Sequence, residues 1–292
     1  MNNLLRIICC PSCGGALSGQ GKKAIICGRC KKRYAVTNGV INFLDDRVFE
    51  DTHNEHQKNY YDKEYVNDYA NTQFEWRNRY IRRLQPFLPT NKKSIILDAA
   101  CGQGYVSIAL AELGYTVIAC DLSIEGLFHA RAVAKIKKLQ NRILFVASDI
   151  TKLRLKKRSV QMTILLHVIE HLQNDKKVVV QLNEYIKKFG IVIVGVPLAF
   201  RYVFPLFIPI YMYSDRKVGH YRHYSLEDIV SLFGKRYAVK AVYYTGHLVK
   251  LFGAFLSLLR ISMLEKIIED IDEKQISSKF WASNIMVALQ KK

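Results

Sequence analysis

The chain has 292 residues, of which 50% are hydrophobic and 24% are charged. This composition is typical of a folded globular protein and excludes a disordered, collagen-like or low-complexity chain. Lys and Arg number 44 and Asp and Glu number 25, so the formal net charge is +19. Such an excess favours polyanionic neighbours, namely nucleic acid, anionic lipid headgroups or phosphorylated substrates, without choosing between them.

The first predicted region, residues 1–46, is rich in Cys and Gly and holds most of the seven cysteines of the chain. Four of them are spaced as Cys10-x2-Cys13 and Cys27-x2-Cys30. Two such knuckles bring four thiolates to one tetrahedral ion, so the spacing predicts a structural zinc site with Cys10, Cys13, Cys27 and Cys30 as ligands. A redox role for a lone CxxC pair is the alternative, and nothing further along the chain supports it.

The second predicted region, residues 47–90, is rich in Tyr and Asn and ends in a predicted helix, FEWRNRYIRRLQPFL, before Pro89. We interpret it as a helical connector or cap. The sequence starts without a signal-peptide pattern. With so few cysteines for its length, we expect the protein in a reducing, cytoplasmic compartment, with membrane association as an open alternative.

The third predicted region, residues 91–292, alternates short apolar runs with helical stretches. Predicted strands are SIILD, TVIAC, RILFVA, VQMTILL and GIVIVGV, and predicted helices are YVSIALAELG, IEGLFHARAVAKIKKL and DKKVVVQLNEYIKKF. Strands separated by such helices predict an α/β fold with a parallel sheet covered on both faces. Two later runs, YAVKAVYY and SNIMVALQ, could close this sheet as an antiparallel pair.

A glycine-rich loop follows the first of these strands, in the stretch ILDAACGQGYVSIAL. The strand ends at Asp98, the loop carries Gly102 and Gly104, and a helix begins near Tyr105. Glycines there let the backbone turn sharply and approach a ligand closely. The next strand ends in Asp121, seventeen residues past Gly104, where a carboxylate can bind both hydroxyls of a ribose.

The acids of this region favour a cationic ligand over a dinucleotide. Asp98 beside a pyrophosphate would be repulsive, and Ser107 stands where a dinucleotide site has its third glycine. S-adenosylmethionine (SAM) carries an ammonium and a sulfonium and no phosphate. Asp149, after the third strand, adds a further acid at the same edge of the sheet. The alternative is that these acids are solvated residues at strand ends.

Residues 94–197 resemble a class I SAM-dependent methyltransferase of the O-methyltransferase-like group, and DAACGQG matches the family pattern D-x-G-C-G-x-G with Ala100 in place of one glycine. The resemblance implies a Rossmann-like, seven-stranded sheet. It also implies that Asp98 and the backbone near Gly102 hold the methionine part, Asp121 holds the ribose, and Leu122 flanks the adenine. Asp149 and the Ile150 backbone would meet the adenine amino group. The predicted cofactor-binding residues are Asp98, Ala100, Gly102, Gly104, Asp121, Leu122, Asp149, Ile150 and His167.

The segment HVIEHL follows the strand VQMTILL and places His167, Glu170 and His171 on one face if it forms a helical turn. It resembles the E-V-x-E-H-x segment of ubiquinone-type O-methyltransferases and of small-RNA 3′-terminal ribose methyltransferases, in which glutamates and a histidine can hold a divalent metal. His167 replaces the first glutamate, which disfavours Mg²⁺ and leaves a softer ion or no ion. In the alternative interpretation, His167 lines the cofactor pocket and Glu170 orients His171.

A second histidine cluster, GHYRHYS, precedes the helix LEDIVSLF and resembles the G-H-x-R-x-[YF]-[ST] segment of the same group, in which the last residue, here Ser225, caps the helix. His220 and Arg222 are candidates to face the acceptor, and surface histidines are the alternative. An oxygen or amine acceptor must lose a proton, which a neutral histidine can take. We predict His171 as this base, with Glu170 holding its tautomer. The predicted catalytic residues are His171, Glu170 and His220.

The acceptor is expected to be a small-molecule or lipid-linked compound methylated at oxygen or nitrogen. An acceptor lid is predicted near residues 198–224, where Phe200–Tyr213 is apolar and broken by prolines, and Leu248–Leu264 is also apolar. Such surfaces suit a long-chain substrate or contact with an anionic membrane. RNA is the alternative partner, because basic residues could bind its phosphates. The cysteine unit also resembles the ribbon of rRNA guanine methyltransferases. A non-catalytic scaffold that keeps the fold is the remaining hypothesis.

Overall fold

The computed structural model describes residues 2–20, 23–45, 52–68, 75–248 and 262–292. The chain divides into two compact units. Unit 1 comprises the described residues of Met1–Ala70, Pro89–Ile164 and Lys176–Gly190. Unit 2 comprises those of Asn71–Leu88, Leu165–Asp175 and Ile191–Lys292. The expected division into residues 1–46, 47–90 and 91–292 stays a prediction.

Helices and strands alternate through most of the described chain. The helices are α1 (Asn2–Leu5), α2 (Thr52–Asp68), α3 (Glu75–Leu84), α4 (Tyr105–Glu112), α5 (Ile124–Ile136), α6 (Asp175–Tyr185), α7 (Ile208–Val218), α8 (Leu226–Phe233) and α9 (Ser262–Lys274). The strands are β1 (Ile8–Cys9), β2 (Leu17–Gln20), β3 (Ala24–Cys27), β4 (Arg33–Thr37), β5 (Val40–Asn42), β6 (Ile95–Ala99), β7 (Thr116–Asp121), β8 (Ile143–Ala147), β9 (Arg154–Leu155), β10 (Val160–Leu166), β11 (Ile186–Pro197), β12 (Tyr237–Thr245) and β13 (Asn284–Lys291). Short 3₁₀ turns occur at Gln85–Phe87, Ile169–His171, Phe200–Tyr202, Pro205–Phe207 and Gly234–Arg236.

The core of unit 1 is a parallel sheet in which β10, β6, β7 and β8 are neighbours in that order. Helices α4 and α5 connect the parallel strands, and every residue of β8 is buried, as expected for a strand covered on both faces. The predicted α/β fold with a parallel sheet is therefore confirmed.

The N-terminal cysteine unit, residues 2–20 and 23–45, extends this sheet. Strands β2, β3, β4 and β5 pair antiparallel in sequence order, and β5 pairs parallel with β8. Asn38 and Gly39 both have positive φ and form the two-residue turn between β4 and β5, the conformation that Asn-Gly favours in hairpins. A second contact joins β1 to β9 as an antiparallel pair.

Unit 2 also contains antiparallel strands. Strand β13 pairs antiparallel with β12 and with residues 191–197 of β11, which confirms the predicted antiparallel pair of the last two strands. Helix α9 precedes β13 and packs on α3, where Arg79 lies 2.5 Å from Asp270 and Arg83 pairs with Glu273. We did not predict α9 from the sequence.

One predicted boundary was wrong. The helix expected to run through the letters YIKKF ends at Tyr185, and β11 begins at Ile186. The backbone amides of Arg158 and Ser159 donate to the carbonyls of Glu184 and Tyr185, at 2.9 Å each. These bonds occupy the carbonyls that another helical turn would need, so the helix ends there.

Within the described residues, no helix is long and apolar enough to cross a membrane. Residues 249–261 of the predicted apolar segment Leu248–Leu264 lie outside the described residues.

Candidate cofactor and acceptor sites

The carboxyl end of β6 in unit 1 carries a buried acid, Asp98. Its Oδ2 accepts a hydrogen bond at 2.5 Å from the hydroxyl of Ser107, the residue that stands in place of a dinucleotide-site glycine. Burial raises the pKa of Asp98 to about 7, Asp121 adds to the rise, and the bond from Ser107 opposes it. Such a carboxyl ionises most readily when a cation binds beside it.

Asp121, at the end of β7, is tied to the glycine loop. Its Oδ2 accepts a hydrogen bond from the amide of Gly102 at 2.7 Å, and its Oδ1 accepts one from the amide of Ser123 at 2.8 Å. Burial raises the pKa of Asp121 to about 6 despite these two bonds. The structure thus brings together the loop and the acid to which the resemblance assigns the ribose.

Three residues of the loop, Ala100, Gly102 and Gly104, have a left-handed backbone. Gly104 has a φ of +69°, and a Cβ there would lie 2.7 Å from the Cβ of Ala130, so α4 can start at this point only with glycine. Ala100, where the family pattern has glycine, has a φ of +54°. Its side chain is exposed, so the substitution strains the backbone without a steric clash in the core.

The predicted adenine contacts follow β8 and β7. Asp149 is buried, and its Oδ1 accepts a hydrogen bond from the amide of Thr151 at 2.7 Å. Ile150 is buried, with its carbonyl bound by Gln181 at 3.1 Å, and Leu122 is half-buried. The amide of Ser148, next to Asp149, donates to the carbonyl of Asp121 at 2.9 Å, so the predicted adenine and ribose residues are neighbours.

Asp62, on α2, also belongs to this region and was not predicted from the sequence. Its carboxylate accepts a hydrogen bond from the hydroxyl of Ser123, which also accepts from the amide of Gly126 to cap α5. Lys58 pairs with Asp62 at 2.7 Å on the same helix. Helix α2 therefore lies against the turn that follows Asp121, a contact for which the sequence offered no local signal.

Unit 2 holds the His-Glu-His segment. Glu170 is fully buried in the 3₁₀ turn Ile169–His171, and its Oε1 lies 3.1 Å from Nδ1 of His167. His167 precedes this turn with a φ of +56°, so the three residues do not share a regular helical face. Glu170 is thus hydrogen-bonded to His167, whereas we had expected Glu170 to orient His171. Its other oxygen, Oε2, is buried and has no hydrogen-bond partner in the described part of the chain.

The charges of this segment are set by burial and by each other. Burial disfavours ionisation of Glu170, but the hydrogen bond and charge of His167 and the charge of His171 outweigh it and lower the pKa of Glu170. Burial lowers the pKa of His171 to about 4, against the attraction of Glu170 and with a contribution from His220. His171 is therefore neutral near pH 7.

Asp215 of α7 organises the second histidine cluster. Its Oδ1 lies 2.7 Å from Nδ1 of His220 and its Oδ2 lies 2.7 Å from Nε2 of His223. Nδ1 of His223 also lies 2.9 Å from the carbonyl of Leu198, so His223 satisfies two acceptors only with protons on both nitrogens. In its neutral form, His220 donates from Nδ1 to the carboxylate and keeps the lone pair on Nε2. Asp215 was not predicted from the sequence as part of this cluster.

The remaining residues of the GHYRHYS segment have structural contacts. Nη1 of Arg222 lies 2.9 Å from Asp175, and Nη2 donates to the carbonyl of Gln173 at 3.0 Å. Ser225 caps α8 in a reciprocal pair of bonds with Asp228, which confirms its predicted capping role. The guanidinium of Arg222 is thus bound by residues of unit 2.

One carboxylate and two imidazoles in unit 2 could hold a metal. One ligand atom from each of Glu170, His171 and His220 lies within 4.8 Å of the others. The unpartnered Oε2 of Glu170, the neutral His171 and the bare Nε2 of His220 all offer lone pairs. Two imidazoles and one carboxylate suit zinc and other first-row divalent ions, and a carboxylate on the far nitrogen of a ligating histidine, as Asp215 is on His220, is common at such sites. The residues present fit a divalent ion.

The four cysteines of the predicted zinc site converge in unit 1. Sγ of Cys10 lies 3.7 Å from Sγ of Cys30, and Sγ of Cys13 lies 3.4 Å from Sγ of Cys27. Tetrahedral coordination with Zn–S bonds of about 2.3 Å separates sulfurs by about 3.8 Å. The cluster therefore has nearly the dimensions that one zinc ion requires.

The predicted lid region, residues 198–224, consists of two 3₁₀ turns and α7. Leu206, Ile210, Met212 and Tyr213 expose large apolar side chains there. Exposed apolar residues grouped on one short segment are a feature of surfaces that receive an apolar partner.

Comparison with known proteins identifies the domain type. Residues 96–190 match the family model described as a methyltransferase domain. A ubiquinone biosynthesis O-methyltransferase of Rickettsia canadensis (strain McKiel) is 34% identical over 100 residues, which are 34% of this chain and 41% of that protein. A probable S-adenosylmethionine-dependent methyltransferase of Mycobacterium tuberculosis is 26% identical over 122 residues, 42% of each chain. The chain thus aligns with less than half the length of the curated relatives it matches.

Solved structures agree on the fold. A Haemonchus contortus phosphoethanolamine N-methyltransferase 2 has a TM-score of 0.57 at 16% identity, covering 81% of this chain and 60% of that one. The MccD protein has a TM-score of 0.56 at 16% identity, covering 75% of this chain and 97% of that one. At these identities the likeness concerns the fold alone. Residues 96–190 therefore match a methyltransferase domain, and the solved structures show the same fold.

Proposed function

We propose that the chain transfers a methyl group from SAM to an oxygen of a small-molecule acceptor. The observation that carries the proposal is the pair of buried acids at the glycine loop, within residues that match the methyltransferase family model. Asp98 provides a carboxylate for the ammonium of SAM. Asp121 uses one lone pair of each oxygen for Gly102 and Ser123, and the remaining lone pairs are suited to the two ribose hydroxyls.

Methyl transfer is an in-line displacement at the sulfonium carbon, and most of its catalysis comes from holding donor and acceptor in alignment. The acceptor hydroxyl must also lose a proton. His220 is the stronger candidate base, because Asp215 fixes its tautomer with the lone pair on Nε2. His171, our candidate from the sequence, has a pKa of about 4, which makes it a weak base near neutral pH.

A divalent ion is the alternative means of activating the acceptor. When bound, it would supply a Lewis acid that lowers the pKa of the acceptor hydroxyl. Glu170, His171 and His220 would hold it through Oε2 and two imidazole nitrogens. In that case Asp215 orients His220 as a ligand, and His167 fixes the carboxylate of Glu170.

The acceptor is proposed to be apolar, including a lipid-linked compound, and the protein to contact anionic membranes peripherally from the cytoplasm. Support comes from the exposed apolar residues of α7, from the net charge of +19, and from relatives named for ubiquinone biosynthesis. We also propose that residues 1–46 are a zinc ribbon, which the sulfur separations of the cysteine cluster support.

Calorimetry with SAM and S-adenosylhomocysteine on zinc-loaded protein tests the first step. Micromolar binding is expected, and its absence would exclude the enzymatic proposal. Transfer from labelled SAM to hydroxylated acceptors, with and without a long apolar chain, then tests the acceptor class by mass spectrometry. His220→Gln should lose at least about 100-fold in kcat under either activation scheme, with SAM affinity unchanged. His56→Gln, an exposed histidine on α2, is the matched control.

His171→Gln, assayed with and without added Zn²⁺ or Mn²⁺, separates the two schemes. A base at His220 predicts activity that survives treatment with a chelator and tolerates His171→Gln within about tenfold. A metal predicts that both treatments abolish turnover. Partial recovery of the chelated enzyme by one ion would identify that ion.

A further inference from the structure

We propose that the N-terminal cysteine unit forms part of the wall of the cofactor site, at the end that receives the adenine ring, so that metal binding by the four cysteines strengthens SAM binding. The inference rests on the proposed function, because it takes Asp149 as the residue that meets the adenine. It assigns the cysteine unit a role in binding the cofactor.

The first support is the register of β5 on β8. Val40, Ile41 and Asn42 pair in parallel with Phe145, Val146 and Ala147, and the amide of Phe43 donates to the carbonyl of Ala147 at 2.8 Å. The two strands therefore end side by side at the same edge of the sheet. In α/β folds this is the edge at which ligands bind.

The second support is a cavity of about 330 Å³ at this edge. Its wall includes Ser12, Lys32 and Phe43 from the cysteine unit and Asp149 from the segment after β8. The volume is within the range of pockets that hold small ligands, about 300–1,000 Å³. Asp149 thus belongs both to this cavity and to the predicted adenine contacts.

The third support is that two residues of the wall are fixed by the cysteine knuckles. Ser12 lies between Cys10 and Cys13, and its hydroxyl is 3.2 Å from the hydroxyl of Tyr34, which is 3.0 Å from Sγ of Cys10. Lys32 follows Cys30 by two residues, and its carbonyl accepts from the amide of Cys27 at 3.0 Å. An ion bound by all four sulfurs joins the two knuckles and so fixes both loops.

The chemistry of the wall suits an adenine ring. Phe43 offers an aromatic surface, the hydroxyl of Ser12 can accept from an amino group, and Lys32 offers a donor for a ring nitrogen. Asp149 provides an acceptor on the opposite segment. Separation of the knuckle loops would remove Ser12 and Lys32 from this wall and leave Asp149 in place.

Calorimetry with S-adenosylhomocysteine and with adenosine tests the inference on zinc-loaded and chelator-treated full-length protein. We expect Kd for both ligands to rise at least tenfold on zinc removal. We also expect the double variant Ser12→Ala/Lys32→Gln to weaken both ligands at least threefold while it keeps its zinc, measured with a colorimetric zinc reagent. Lys31→Gln, which changes a neighbouring exposed lysine outside the cavity wall, should bind both ligands as the wild type does.

Equal affinity of folded zinc-free and zinc-loaded protein, checked by circular dichroism, would overturn the inference. Unchanged affinity of the double variant that keeps its zinc would also overturn the inference. This second measurement remains decisive if the zinc-free protein unfolds. Failure of zinc-loaded wild-type protein to bind S-adenosylhomocysteine would instead overturn the proposed function, so the two failures are distinguishable.

Discussion

The carboxylate of Asp215 holds the ring of His220 through a 2.7 Å hydrogen bond between Oδ1 and Nδ1. Its second oxygen is taken by His223, which in turn donates to the carbonyl of Leu198. The carboxylate therefore cannot rotate away from His220 without breaking a second bond. An acid that fixes the tautomer of a histidine in this way prepares the far nitrogen to accept a proton or to bind a metal.

Asp215→Asn should lower kcat by at least about 100-fold, because an amide can donate to Nδ1 of His220 and so move the proton to Nε2. Affinity for SAM should stay within twofold, since Asp215 belongs to the histidine cluster and not to the glycine loop. Steady-state kinetics and calorimetry measure the two quantities. Asp228→Asn, which alters the cap of α8 outside the cluster, is the matched control and should retain kcat within about threefold. Wild-type kcat in Asp215→Asn would contradict the positioning role.

Affinity for SAM should rise with pH between about 6 and 8, because the ammonium of SAM binds the ionised form of Asp98, whose pKa in the free protein is raised to about 7. At pH 6 most Asp98 carboxyls are protonated and must release the proton on binding, and at pH 8 most are already ionised. Kd for SAM should therefore fall roughly tenfold between pH 6 and pH 8. Asp121, with a pKa of about 6, adds in the same direction at the acidic end.

Calorimetry in matched buffers at pH 6, 7 and 8 measures this dependence. Asp98→Asn should bind SAM weakly with little change over the range. Adenosine, which lacks the ammonium, is the control ligand and should vary much less than SAM in the wild type. A SAM affinity independent of pH would show that Asp98 does not bind the ammonium.

The parts of the site that the sequence predicted are those with local signals. Asp98 and Asp121 lie near the ends of mainly apolar strands, and the glycine loop follows the first of them, so the ends of β6 and β7 could be predicted from the sequence. The capping role of Ser225 could be predicted because a cap residue lies next to its helix in the sequence. In these cases the residue and the element that positions it are neighbours in the chain.

The parts that the sequence did not predict depend on contacts between distant segments. The bond of Asp62 to Ser123 joins residues 61 positions apart, and β5 pairs with a strand about a hundred residues further on. Hydrophobic periodicity carries no information about such pairings. Glu170 was among the predicted residues, but its contact with His167 was not predicted. His167 has a positive φ, which favours glycine or asparagine and has no signature in this segment.

Ala100→Gly should stabilise the protein by up to about 1 kcal/mol, because a residue with a Cβ at positive φ costs about 1–2 kcal/mol and part of this gain is offset by the greater freedom of glycine in the unfolded chain. The side chain of Ala100 is exposed, so no packing is lost. Urea unfolding followed by circular dichroism measures the change. Ala109→Gly, within α4, is the control with the opposite sign and should cost about 1 kcal/mol. Equal destabilisation by both substitutions would contradict the strain at Ala100.

The largest change in the free energy of unfolding is predicted for a buried ion pair in unit 2. Nδ1 of His247 lies 2.7 Å from Oδ1 of Asp272, and Nε2 lies 2.8 Å from the carbonyl of Ser278. Because both neighbours accept, the imidazole must carry both protons and a positive charge. The side chains are 1% and 0% exposed, and Asp272 also accepts from the amides of Gly246 and His247.

Asp272→Asn should therefore destabilise the protein by about 3 kcal/mol or more, because it leaves a buried imidazolium without its counter-charge. Glu112→Gln, which breaks the exposed pair with Lys137, should change the free energy of unfolding by less than about 1 kcal/mol. Adding His247→Gln to Asp272→Asn should recover part of the loss, since the uncompensated charge is then removed. Urea unfolding of the four proteins measures these values, and a loss for Asp272→Asn no larger than that for Glu112→Gln would contradict the buried charge pair.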